Sequence, residues 1–284
     1  MAIYYPENPQ YFTSVGSPYL PPLQVMTPGQ FLLSPNGNYK LLLQDDGNLA
    51  IYDQTNGATA WIADTNQPYS TTGSLRDFPT HVLMNAGLYL YDPSRGRVWY
   101  TNNPAIPANV ESMHLSLQND GNLVVIDVKA LWSSDTGANF TPVAADATVL
   151  NPDQAMVVGA SYPAGAYQLI FQADGNLVVY DQSMTAVWHS HTFNSGATQA
   201  VMQADGNFVL YNAAGEAVWN TGTYGNPGAY AQLQANGAFV IVKNTPVWAR
   251  FGWQPTPVRP PRRVFYPDHS KGPLPLFGGI GWDF

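Results

Sequence analysis

Two stretches decide how this chain folds: FQADGNLVVYDQ at residues 171–182 and MQADGNFVLYNA at residues 202–213. Both run Gln-Ala-Asp-Gly-Asn, then an apolar residue, then Val-x-Tyr, at a step of 31 residues. A core has no use for Gln, Asp or Asn, so the polar positions need another explanation. All share one parity, which on a straight strand would spread Gln and Tyr over roughly 26 Å. Asp-Gly between apolar runs is instead a hairpin signal. A two-residue loop would pair Ala173 with Asn176 and turn Gln172 away from the other polar groups. A three-residue loop, Ala173-Asp174-Gly175, pairs Gln172 with Asn176 and Ile170 with Val178. It keeps Gln172, Asn176, Val178 and Tyr180 on one face, with Asp174 at the tip. That loop wants a left-handed Gly at its third position, and Gly175 is there, as are Gly47, Gly121 and Gly206 in the related stretches.

Self-comparison extends the pattern to six copies in two groups of three. Gln172, Asp174, Asn176, Val178, Tyr180 and Gln203, Asp205, Asn207, Val209, Tyr211 are complete. Gln44, Asp46, Asn48, Ala50, Tyr52 lacks only the Val, and Gln118, Asp120, Asn122, Val124, Ile126 lacks the Tyr. HVLMNAGLYLYD, from His81, keeps strand character without the polar set, and the copy at Gln234 has decayed to Asn236, Ala238, Val240 and Val242. Both decayed copies retain a Gly, Gly87 and Gly237. A Trp trails each copy by 14 to 17 residues: Trp61, Trp99, Trp132, Trp188, Trp219 and Trp248. One Trp per repeat suits a shared core that no single repeat could bury. Three repeats per group predict a three-sided unit with the indoles meeting near its axis.

Composition agrees. Of 284 residues only 11% are charged and 13% aromatic, with 25 Gly and 24 Pro. This suits short strands and tight turns, and no stretch carries a helical pattern. The formal charge of −8 disfavours nucleic acid as a partner. Without Cys there is neither a disulfide nor a thiolate metal site. MAIYYPENPQ at the start has no basic segment or apolar h-region, which gives the expectation of release without a cleavable signal peptide.

The predicted hairpin gathers a carboxylate, two amides, a phenol and one apolar residue into a shallow patch. Such groups donate to and accept from neighbouring hydroxyls while Val covers C–H surface, so a pyranose is the expected ligand. Turn chemistry alone explains Asp, Gly and Asn, but not the accompanying Gln and Tyr.

At these residues the chain resembles the monocot mannose-binding (bulb-type) lectins. The resemblance implies an all-β fold of two tandem β-prism domains with pseudo-threefold symmetry and a C-terminal extension. The expected division is an extended segment 1–22, a first lectin domain 23–145, a second 146–253, and the extension 254–284. The resemblance gives Gln172 and Gln203 contact with O3 of mannose. It gives the axial O2 to Asp174, Asn176, Asp205 and Asn207, O4 to Tyr180 and Tyr211, and the ring face to Val178 and Val209. Gln44, Asp46, Asn48 and Tyr52 form a weaker candidate. Nothing in the set requires a 6-hydroxyl, so D-rhamnose should serve as well as D-mannose.

The tandem arrangement, the absent Cys, and LLSPNGNYKLLLQDDGNL and PVWARFGWQPT look more like the lectin-like bacteriocins of Pseudomonas. That likeness implies binding to D-rhamnose or D-mannose glycans of lipopolysaccharide. It also implies selective killing of related Gram-negative cells through an outer-membrane protein of the BAM machinery, by a monomer without a cofactor. The alternative is a non-toxic lectin used in adhesion or recognition. The first domain, with the insertion around 64 to 80, is the expected source of strain specificity. The tail, with Arg259, Arg262, Arg263, Trp282 and Phe284, would pack on the body or assist killing. His189 and His191 share strand parity but lack a third ligand, so they read as ordinary strand residues. The repeated Asp residues lie beside amides rather than in an acid–base pair, so no enzyme is expected.

Overall fold

A computed structural model of the chain describes residues 10–63, 79–85, 87–92, 97–101, 110–143 and 146–251. Most of the 64 to 80 insertion, Trp253 and the tail lie outside them. The described residues form β-strands and a single 3₁₀ turn, Val110–Ser112.

The chain divides into two compact units. One comprises 1–126 with 246–284 and the other 127–245. Each is a β-prism of three sheets around one apolar core. In the second unit one sheet runs Ser161–Ala164, Tyr167–Phe171, Leu177–Tyr180, Ala186–His189, and another Gln154–Ala155, Ala197–Met202, Phe208–Asn212, Ala217–Asn220. The third contains Thr148–Leu150 and Tyr230–Leu233 beside the start of Phe239–Ala249. Alternation explains the burial: Leu169, Phe171, Leu177, Val179, Phe208 and Leu210 point into the core, fully covered. In the first unit Phe31–Leu33, Tyr39–Leu43, Leu49–Asp53 and Thr59–Ile62 form the corresponding sheet. His81–Met84, Leu88–Asp92 and Arg97–Tyr100 build the next, joined by Gln24–Met26 and Gln10–Tyr11.

The linear boundaries at 145 and 253 do not coincide with these units. The strand Leu123–Ser133 starts in the first unit and ends in the second, where Leu131 and Trp132 pack on the second core. The strand Phe239–Ala249 makes the reverse passage and delivers Val247 and Trp248 to the first core. Each half therefore donates the end of its last strand to the other. The indoles meet in triads as expected, with different membership. Trp132 lies 5.7 Å from Trp188 and 5.8 Å from Trp219, and Trp99 lies 5.7 Å from Trp61 and 6.2 Å from Trp248. Edge contacts of this kind add about 0.5–1.5 kcal/mol each beyond area burial.

Residues 10–22 combine two short strands with a turn at Ser14–Ser17, and they are not a separate segment. Gln10–Tyr11 pairs in parallel with Gln24–Met26, Tyr19–Leu20 pairs with Met113–Leu117, and Phe12 and Leu20 are core residues.

Candidate functional site

The hairpins adopt the three-residue loop. Gln172 N–H donates to Asn176 O at 2.8 Å and Ile170 stands opposite Val178. Gln203 N–H donates to Asn207 O at 2.8 Å and Val201 stands opposite Val209. At the tip Oδ1 of each Asp accepts the N–H two residues on, at 2.9 Å for both Asp174 and Asp205, the side-chain turn that Asp favours. Gly206 has φ 94°, and a Cβ there would lie 2.2 Å from Asn226 O, so only Gly satisfies both backbone angle and space.

Within each hairpin the Gln side chain meets the Tyr, and the Asp side chain meets the backbone of the Asn. Gln172 Nε2 donates to the Tyr180 hydroxyl at 3.0 Å, and Gln203 Nε2 to Tyr211 at 2.9 Å. Each Asn is buried, 8% exposed, and held from behind. Asn176 Oδ1 accepts from Ser190 Oγ and Thr192 N, both at 3.2 Å, and Asn207 Oδ1 from Thr221 Oγ1 and Thr223 N, both at 3.1 Å. With Oδ1 committed, the amide has only its Nδ2 donor left. Gln keeps Oε1 as acceptor, Asp its second oxygen, and Tyr its O–H as donor. Donors and acceptors thus stand side by side, as adjacent hydroxyls require. Val178 and Val209 are only 2% exposed and form the floor, offering little surface of their own.

Ser190, Thr192, Thr221 and Thr223 are residues that the motif reading missed. A hydroxyl two residues after the Trp recurs at Thr101, Ser134, Ser190 and Thr221, and each accepts the first N–H of a neighbouring strand: Leu88, Phe239, Leu177 and Phe208. Trp-x-Ser/Thr was the available signal.

The copy at Gln44 is assembled differently. Gln44 Nε2 reaches the Tyr52 hydroxyl at 2.8 Å, but Asn48 Nδ2 donates to Asp46 Oδ2 at 2.7 Å. Ala63 stands two residues after Trp61, where Ser190 and Thr221 carry their hydroxyls in the complete copies, and Ala50 replaces the Val floor. In the copy at Gln118 the amide is spent: Asn122 Nδ2 donates to Phe251 O at 2.9 Å and its Oδ1 accepts Phe251 N–H at 3.2 Å. In the copy at Gln234, Oε1 accepts Thr141 N–H at 3.0 Å, Nε2 donates to Thr141 O at 2.8 Å, and Gln234 is 1% exposed. In the copy at His81 the loop is two residues shorter. Asn85 N–H donates to Gly87 O at 2.8 Å, which puts Gly87 at the Asn position rather than that of the turn Gly. Gly237 keeps the turn role, with φ 91°.

His189 ends its strand and His191 lies in the following loop at φ 61°, so the two do not share a strand. Their rings are 4.0 Å apart, and among the described residues no group of three metal-ligating side chains occurs.

No family model matches the chain, and no curated protein does. Solved structures do. A lectin from Allium sativum is 33% identical over 36% of this chain and 97% of that one, with a TM-score of 0.31. A monomeric monocot mannose-binding lectin from Gastrodia elata is 30% identical over 36% of this chain and 94% of that one, with a TM-score of 0.30. The two-domain, fetuin-binding agglutinin of Scilla campanulata is 20% identical over 75% of this chain and 88% of that one, with a TM-score of 0.48. With 30% identity over nearly all of such a lectin, and a β-prism built twice in one polypeptide, the chain belongs to the monocot mannose-binding (bulb-type) lectin family.

Proposed function

We propose that the protein is a lectin-like bacteriocin. It binds D-rhamnose or D-mannose residues of lipopolysaccharide through the cradles at Asp174 and Asp205, and kills related Gram-negative cells from outside. The observation that carries the sugar reading is the pair of hairpins in the second unit, each with Asn Oδ1 held from behind so that Nδ2 is left to donate, and with Asp at the tip. Asn and Asp together bracket an axial 2-hydroxyl, while Gln and Tyr address the next hydroxyls round the ring. None of the motif residues demands a 6-hydroxyl, which supports D-rhamnose as a ligand equal to D-mannose. A single shallow cradle binds at about millimolar, roughly −4 kcal/mol. Two on one unit gain by effective concentration against a polymer.

The chain acts as a monomer outside the cell, and its outer-membrane target belongs to the BAM machinery. It performs no catalysis. Calorimetric titration with D-rhamnose, D-mannose and D-glucose tests the sugar reading: the first two should bind, and glucose, with its equatorial 2-hydroxyl, should not. Purified protein spotted on lawns of diverse Pseudomonas strains tests the killing. Sugar binding with no clearing on any strain would leave a lectin of adhesion or recognition.

A further inference from the structure

We propose that Phe193 and Tyr224 form a second subsite beside each cradle, an aromatic platform for the pyranose glycosidically linked to the one in the cradle. The proposal rests on the reading of the cradles as sugar sites. Phe193 is 64% exposed and Tyr224 71%, and neither joins the core. Each lies five residues after its Trp, on a loop fastened to the hairpin tip. Thr192 Oγ1 donates to Gly175 O at 2.8 Å and Asn194 N–H to Asp174 O at 2.8 Å, so the residues on both sides of Phe193 are tied to the cradle backbone. Around Tyr224, Thr223 Oγ1 donates to Gly206 O at 2.7 Å and Asn226 N–H to Asp205 O at 2.8 Å.

The two loops, HTFN and GTYG, share only the Thr and the aromatic. A large exposed ring recurs at one place although its surroundings have diverged. In the sequence after Trp61, which trails the copy with the self-paired Asn48, the same place holds Asn66. A large exposed ring at the same place in both complete copies is available to stack on a ligand. The chemistry fits a second sugar: the cradle consumes the hydroxyls of the first, and an aromatic face, negative at its centre, takes the C–H face of the next.

The test is calorimetry with methyl α-D-mannoside and the methyl glycosides of α1→2-, α1→3- and α1→6-linked mannobiose. It compares the unmodified protein, Phe193→Ala with Tyr224→Ala, and the exchange Phe193→Tyr with Tyr224→Phe. At least one disaccharide should bind the unmodified protein about three- to tenfold tighter than the monosaccharide. The double Ala variant should lose that gain and hold the monosaccharide within about twofold, while the aromatic exchange keeps it. No gain for any linkage, or a gain that survives in the double Ala variant, overturns the subsite. Failure of the unmodified protein to bind the monosaccharide overturns the cradle reading, and the subsite with it.

Discussion

The hairpins at Asp174 and Asp205 and those at Asp120 and Asn236 have the same backbone, and what separates them is who holds the carboxamides. At the first two, Asn is gripped from behind by hydroxyls and keeps its donor available. At Asn122 the backbone of Phe251 takes both amide atoms, and at Gln234 the backbone of Thr141 does the same. The lesson is that Asp-Gly-Asn folds a turn wherever it stands, while a sugar cradle exists only where the polar atoms gathered by the turn remain unspent. In both filled copies the occupant follows an exchanged strand, Leu123–Ser133 or Phe239–Ala249. Strand exchange thus completes each core and closes one face of each prism.

Substitutions and acid press on that contrast, the largest expected effect first. Trp132→Ala should cost about 3–5 kcal/mol, the usual loss for a large core aromatic. It should destabilise the second unit and weaken glycan binding there, although Trp132 trails a copy of the first half; Trp248→Ala should spare the second-unit cradles. Denaturant unfolding alongside calorimetry distinguishes these, and glycan binding that survives Trp132→Ala would contradict the exchange. Asp174→Ala with Asp205→Ala should remove essentially all of the roughly −4 kcal/mol per site, while the unit stays folded and loses about 1 kcal/mol of stability for each turn hydrogen bond removed.

Acid should act on the other region. His114 lies buried on the strand Met113–Leu117, which leads into the filled copy at Gln118, and burial lowers its pKa to about 4. A lowered folded-state pKa means that the neutral ring stabilises fully above the unfolded value of 6.5, and that this stability is lost as pH falls from there towards 4. The loss totals about 3 kcal/mol. His114→Asn should flatten that slope in unfolding measured from pH 7 to pH 4.

Smaller effects probe the open cradles. Thr221→Ala removes the hydroxyl behind Asn207 and should weaken binding at that copy by about 1–1.5 kcal/mol, with the unit still folded. Tyr211→Phe loses one hydrogen bond and should cost about 1 kcal/mol by titration.

Much of this was legible from residue spacing. The parity of Gln172, Asn176 and Tyr180 dictated loop length, and six trailing Trp dictated a shared core. What spacing could not supply was partnership over long separations. Phe251 meets Asn122 from 129 residues away and Thr141 meets Gln234 from 93. An exchanged strand has the same alternation as one that stays at home, so Trp132 and Trp248 could not be assigned to their triads from pattern alone. Gly87 misled for a related reason: a shortened loop retains a Gly but shifts its register.

The most direct measurement is a crystal structure of the protein with D-mannose or D-rhamnose bound. The account predicts a pyranose at Asp174 and Asp205, its axial 2-oxygen between each Asp and its Asn, and none at Asn122 or Gln234. Bare hairpins at Asp174 and Asp205, or a sugar displacing Phe251 or Thr141, would contradict it.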